Sequence, residues 1–216
     1  MNLNEILNTF NLIIGDRLPH WEDLTPESFT DLLHNESIKL FEQEIDREKI
    51  GNLRPFKSVM GEDDVMPMII TEDGTADVPG NYKKCISIRH RFLDDGVKKD
   101  KICRMVDDQL FDILASSATE YPTKNYPIAN EQSGYIRFLP IDLRYVVFSY
   151  FKYPVAPVFA YTIDRGFIEY VEANSTELEW DLSGQIILIQ MMAKTIGVKV
   201  SVPDVEKVIE QQTVKK

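Results

Sequence analysis

Thiol and imidazole ligands are scarce in this sequence, where 216 residues hold only two cysteines and three histidines. His20, His34 and His90 stand far apart. No second histidine, cysteine or carboxylate lies at metal-ligand spacing from any of them, so no metal is expected. Cys85 and Cys103 fall on adjacent expected strands and could face each other. Nothing in the sequence points to an oxidising compartment, and two reduced, partly buried thiols are the expectation. No G-x-G-x-x-G, Walker-type or G-x-S-x-G segment occurs, so dinucleotide, phosphate-cradle and serine-hydrolase signatures are missing and no cofactor is expected. Long apolar runs are missing as well. YVVFSYF (145–151) and IILIQMMA (186–193) are too short to cross a bilayer as helices. The opening MNLNEILNTF has no basic n-region, so neither a secretory signal nor a membrane partner is expected.

What is present suits a globular chain. Hydrophobic residues make up 44% and charged residues 27%, enough for a real core. The net charge of −11 is unevenly placed. Residues 1–80 hold 17 acidic and 6 basic side chains, whereas residues 81–216 hold 18 of each. Within the neutral part, residues 81–104 carry 8 basic and 3 acidic side chains. An acidic and a basic segment on one chain suit head-to-tail contact between copies; two separately solvated faces are the alternative.

Periodicity gives the elements. Leu3, Ile6, Leu7, Phe10 and Ile13 repeat at helical spacing, with Gly15 as a stop. Thr25-Pro26-Glu27 is an N-cap followed by proline at the first helical position, and the helix runs to about residue 46. Glu36 and Ser37 interrupt its apolar stripe. The two helices are expected to form a hairpin. Residues 51–81 read as an irregular, exposed acidic loop with a short strand at Met68–Thr71. From Lys84 the period becomes two: Ile86, Ile88, His90 and Phe92 alternate with Ser87, Arg89 and Arg91. Asp94-Asp95-Gly96 turns the chain into a second strand near Lys101–Val106. Asp107 caps a short helix that buries Leu110, Phe111 and Leu114. Strands are expected at 128–129, 135–139, 145–153, 158–163 and 167–171, with dense aromatics that suit cross-strand packing. A helix over 182–196 stops at Gly197, and a last one begins near Pro203. The fold class is α+β: a helical bundle built from both chain ends with an inserted antiparallel β domain. The expected segments are an N-terminal helical hairpin (1–57), an acidic loop and basic hairpin (58–106), a bundle helix (107–120), an antiparallel β part (121–180) and C-terminal bundle helices (181–216).

Chemistry-bearing clusters are few. Glu62-Asp63-Asp64 could hold a divalent ion, but adjacent loop acids are more often simply solvated. Glu177 and Glu179 could form a carboxylate pair, or serve the N-terminal dipole of the helix that follows Asp181. Lys83, Lys84, Arg89, Arg91, Lys98, Lys99, Lys101 and Arg104 could contact phosphates or an acidic protein neighbour. FKYPVAPVFAYT (151–162) reads as a proline-broken edge used for packing or docking. SSATEYPTKNYP (116–127) has two Tyr-Pro pairs that set an extended path, with Tyr121 and Tyr126 as anchors that bury their rings.

Several of these stretches, taken in order, resemble the head-to-tail adaptor or ring proteins of tailed phages that infect Bacteroidetes-type bacteria, including the crAss-like phages. DLTPESFTDLLHNESIKLFEQEI is similar to their opening helix. SSATEYPTKNYPIA followed by GYIRFLP resembles their P-T…YP stretch. YFKYPVAPVFAYTIDRGFIEY and STELEWDLSGQIILIQMMAKTIGV resemble the family's closing segment. The likeness covers residues 24–45 loosely and 105–200 more closely. After its Glu-Trp pair the family usually has a proline, where this chain has Asp181. The resemblance implies a non-enzymatic virion component: a homo-oligomeric ring of roughly twelve copies that sits below the portal and continues the DNA channel toward the tail. Its partners would be the portal protein, neighbouring ring or tail proteins, and genomic DNA in passage. Lys83, Lys84, Arg89, Arg91, Tyr121, Pro122, Tyr126, Pro127, Phe151, Tyr153, Pro154 and Trp180 are then candidate interface residues. Glu62, Asp63, Asp64, Glu72 and Asp73 are candidate channel-facing acids, since an acidic wall would repel DNA and let it slide. The alternatives are a nucleic-acid-associated phage protein that uses the basic hairpin, a minor tail or capsid-decoration protein, and a hydrolase built on Glu177 and Glu179.

Overall fold

Thr25 and Pro26 open a helix as their chemistry demands. In the computed structural model, the Thr25 hydroxyl accepts from the Ser28 amide at 3.3 Å. Pro26 takes the first helical position, where an N–H would have no partner. The structure describes residues 1–18, 24–47, 51–61, 68–94, 97–165 and 167–214. It is α+β, with helices at both chain ends and strands between. Two compact units form: Met1–Phe56 with Pro154–Lys216, and Lys57–Tyr153.

The first unit holds α1 (Leu3–Arg17), α2 (Pro26–Asp46), α4 (Leu182–Thr195) and α5 (Val202–Val214). Asn2 and Glu5 close a reciprocal capping box on α1. Gly15 does not stop this helix, which runs on to Arg17 and ends with the Leu18 amide donating to the Ile14 carbonyl. The expected hairpin is also corrected. Among the described residues α2 packs chiefly on α4, while α1 packs on both α5 and α4, and α4 and α5 also pack on each other. The reason lies in α4, whose Ile186, Leu188, Ile189, Met192 and Ala193 are all buried and fill the space between its neighbours. Glu36 and Ser37 extend the buried stripe of α2 rather than interrupting it, because each has a partner. Glu36 accepts from Lys39 Nζ at 2.7 Å and Thr195 Oγ1 at 3.0 Å. Ser37 Oγ accepts from Trp180 Nε1 at 2.7 Å.

The second unit is two sheets over one core. The first sheet has the order β1 (Lys57–Met60), β9 (Tyr145–Lys152), β4 (Tyr82–Asp94), β5 (Val97–Ile102), with β2 (Met68–Ile69) also paired to β9. The second runs β3 (Thr75–Asp77), β8 (Tyr135–Leu139), β7 (Ile128–Glu131), β6 (Arg104–Met105). Ile88, Val146, Phe148 and Tyr150 from the first sheet share a core with Ala76, Ala129, Ile136 and Phe138 from the second. Strand β9 is buried on both faces, which is why YVVFSYF shows no alternation. Among the described residues of 51–81, β1 and β3 join the expected short strand β2, because all three find partners far along the chain.

Strand β4 departs from strict alternation. Its pairing with β9 shifts between Tyr82 and Lys84 and again between Cys85 and Ser87. Each shift inserts one extra residue, a bulge that moves later side chains to the other face. Cys85 therefore packs against the core, while Ile86, expected inside, is 38% exposed. The second strand of the hairpin starts at Val97, earlier than expected, and Arg104–Met105 already belongs to the other sheet.

Helix α3 (Asp108–Ser116) is not a bundle helix. It belongs to the second unit and packs on β7, with Phe111 buried beside Ile128 and Leu139. Arg137 fixes it there. Its guanidinium lies 4.4 Å from the Phe111 ring centre and also reaches Asp108, Asp112 and Asn130. Only Phe111 of the three expected residues is fully buried, since a helix on one sheet corner covers less than one inside a bundle. The β10 (Tyr161–Asp164) and β11 (Phe167–Tyr170) hairpin, expected in the β part, groups with the helical unit.

Candidate functional site

The basic hairpin is partly neutralised from within. Asp100 on β5 accepts from Arg91 Nε at 2.9 Å and Nη2 at 3.1 Å, and from Arg89 Nη1 at 3.4 Å. The Arg91 bonds hold the Asp100 carboxyl below its ordinary range. Arg91 also donates to the Gly61 carbonyl at 3.3 Å. Lys83 Nζ donates to the Tyr153 hydroxyl at 2.9 Å and lies 5.0 Å from that ring's centre. Lys84, Lys99 and Lys101 are exposed. The hairpin thus presents lysines outward, while its two arginines and Lys83 are tied to its own fold.

The SSATEYPTKNYP segment does not keep the extended path expected of it. It links α3 to β7 within one unit and reverses at Lys124–Asn125, where the Tyr126 amide donates to the Thr123 carbonyl at 2.9 Å. Pro122 and Pro127 are buried, whereas Tyr121 and Tyr126 are 40% and 79% exposed. The expected ring anchors are therefore the outward residues. Prolines fill the interior because they have no backbone N–H to satisfy there. His90 lies beneath this turn, buried, 3.4 Å from the Lys124 carbonyl and stacked on Phe92 at 5.2 Å. Burial holds its pKa below the ordinary 6.5, against a smaller opposing effect of the Lys124 carbonyl.

Burial divides the other candidates. Phe151, Pro154 and Trp180 are interior and pack within the chain, so they are corrected from surface contacts to packing residues. Trp180 lies 4.7 Å from Phe56, ring centre to ring centre. Tyr153 is half-buried. Glu72 and Asp73 are exposed at a turn closed by Gly74 at φ +74°. Glu62, Asp63, Asp64 and His20 lie outside the described residues.

Glu177 and Glu179 do not stand on one strand. Glu177 accepts from the Leu3 amide at 2.8 Å and from the Tyr170 hydroxyl. Glu179 accepts from the Val155 amide at 3.0 Å. Glu177 thus serves the N-terminus of α1, while Asp181 caps α4 by accepting from the Gly184 amide at 2.8 Å. Cys85 and Cys103 are free thiols in one core, and burial pushes both up to about 12. Among the described residues no group of three His, Cys, Asp or Glu side chains is placed to hold a metal. No described helix is long and apolar enough to cross a membrane.

No protein-family model matches this chain, and no curated protein matches it. The surface itself carries the remaining signal. Ile102 is 75% exposed, Phe167 75%, Ile163 68% and Ile168 53%. Sequence reasoning missed all four, since it placed each in an expected strand without assigning the face it takes. Only the number of neighbouring strands reveals that the cover is missing.

Proposed function

We propose that this chain is a subunit of a multi-copy protein assembly, namely a ring at the head-to-tail junction of a tailed phage particle. The carrying observation is the contrast between engaged polar groups and exposed apolar ones. Glu36, Glu177, Glu179, Asp181, Arg91 and His90 all serve local structure. Large apolar side chains meanwhile stand in water on strand edges and hairpin tips. Such a surface suits a subunit that is covered by neighbours. Charge supports the same reading. By sequence the first unit carries 20 acidic and 11 basic residues, net −9, and the second 15 and 13, net −2. The opposition lies between the acidic first unit and residues 81–104, with 8 basic and 3 acidic side chains, and such unlike surfaces on one chain favour heterologous contact, which closes into a ring when the rotation allows. The resemblance of its motifs, in their order, to those of phage ring proteins supports the location.

The test is quantitative mass spectrometry of purified particles, normalised to the portal protein. A ratio near one copy per portal subunit is expected. A ratio far above one would favour a capsid-decoration or repeated tail protein. Absence from the particle would overturn the reading and bring forward nucleic-acid binding by the exposed lysines, visible as salt-sensitive DNA retention.

A further inference from the structure

The β10–β11 hairpin is a two-stranded sheet with no third strand among the described residues. Isolated hairpins of this kind are marginal in water. This one is rooted firmly. The Tyr161 hydroxyl donates to Glu27 and the Tyr170 hydroxyl to Glu177. Phe159 lies 4.8 Å from the Tyr170 ring, and the Val171 amide donates to the Ala160 carbonyl at 2.8 Å. Beyond the root the apolar side chains are bare. Ile163 and Ile168 face each other across the ladder, and Phe167 pairs with Asp164. A fixed base with an uncovered apolar tip has the form of an arm that awaits a partner.

The geometry points to a second copy of this chain as that partner, with the hairpin docking along the open edge of β5. This rests on the ring reading and names its contact. Three features fit. First, among the described residues β5 is the outermost strand of its sheet, and a strand edge presents backbone groups that another strand can pair with. Second, Ile102 at its end is 75% exposed and offers the arm an apolar neighbour. Third, the charges oppose. Residues 161–172 hold three acids and one arginine, while β5 holds three lysines and one aspartate. That aspartate, Asp100, is already engaged by Arg89 and Arg91. Donor and acceptor are different surfaces, so each copy gives one arm and receives another, and the chain of contacts ends only by closing.

The experiment mixes full-length protein in light and heavy isotopic forms at high concentration. A carbodiimide couples carboxylates to lysine amines, and mass spectrometry identifies the joined peptides. Mixed light–heavy pairs that join Glu169 or Glu172 to Lys99 or Lys101 are expected. Phe167→Ser, at an exposed position, should lower their yield about tenfold, the loss typical of removing a central aromatic contact. Lys101→Glu should also lower it, and combining Lys101→Glu with Glu169→Lys should restore it. Pairs of one isotope only would mean contact within a single chain and overturn the proposal. Mixed pairs that map elsewhere, or none at all, would overturn it too. The ring reading fails separately: arm-to-β5 pairs in a protein absent from particles would keep this contact and discard the ring. A portal-matched copy number with cross-links elsewhere would do the reverse.

Discussion

Trp180 is held by chemistry on two sides: its indole N–H donates to Ser37 Oγ at 2.7 Å, and its ring meets Phe56 edge-on at 62°. Trp180→Phe keeps most of the packing and removes the donor. It should cost about 1–2 kcal/mol, the penalty of a lost buried hydrogen bond, as read by urea unfolding. An unchanged midpoint would mean that Ser37 had found another partner. His90 makes a pH-dependent contribution whose sign follows from its lowered pKa. Below the ordinary value the unfolded chain binds the proton more readily than the folded one, so stability falls as pH drops from about 6.5 toward the depressed folded value. Above that window both states are neutral and the effect vanishes. Thermal melts from about pH 8 to about pH 5 should show a slope in the wild type that His90→Gln removes. Equal slopes would assign it to other groups. The inward prolines carry a similar lesson. Pro122 and Pro127 are buried, so replacing them tests the fold of the second unit rather than an interface.

Helix α4 carries a tight contact at the element scale. A Cβ at Gly184 would lie 2.6 Å from Trp180 Cε3, and Trp180 cannot easily yield because Ser37 and Phe56 fix it. Alanine would gain about 1 kcal/mol of helix propensity. The overlap should outweigh that and leave Gly184→Ala destabilised by about 1–3 kcal/mol in chemical denaturation. A stabilised variant would show that Trp180 shifts freely. The docking of α3 rests on Arg137. Its ion pairs to Asp108 and Asp112 are exposed and contribute little, so the stacking on Phe111 and the bonds to Asn130 dominate. Arg137→Ala should therefore speed hydrogen exchange throughout Asp108–Ser116, while Asp108→Asn should barely change it. Equal effects would move the weight back to the ion pair.

For the whole molecule, continuity of chain separates the two units. The second is one unbroken segment, 57–153, with its own core, whereas the first needs both chain ends. A fragment spanning 57–153 should fold alone and melt cooperatively, and a spectrum of an unfolded chain would refute this. The first unit without its C-terminal helices should not fold, because α4 is the element on which α1 and α2 pack.

Local chemistry made much of this readable. Thr25-Pro26, Asp107 and Gly197 mark helix ends through hydrogen bonds and a positive φ that involve only nearby residues. The strand at 135–139 and the existence of the β4–β5 hairpin were also readable, though not the bulges of β4 or the start of β5. Other features depend on partners distant in sequence. The short strands β1 and β3 exist because β9 and β8 pair with them, and a strand of three or four residues has no pattern of its own. The bulges in β4 are set by register against β9, and they decided which of Cys85 and Ile86 faces the core. The unit to which α3 belongs was fixed by Arg137, more than twenty residues away on β8. The same holds for the candidate contacts: sequence chose residues by type, but burial, a property of all neighbours at once, turned Trp180, Phe151 and the prolines inward and left Phe167, Ile163 and Ile102 in water.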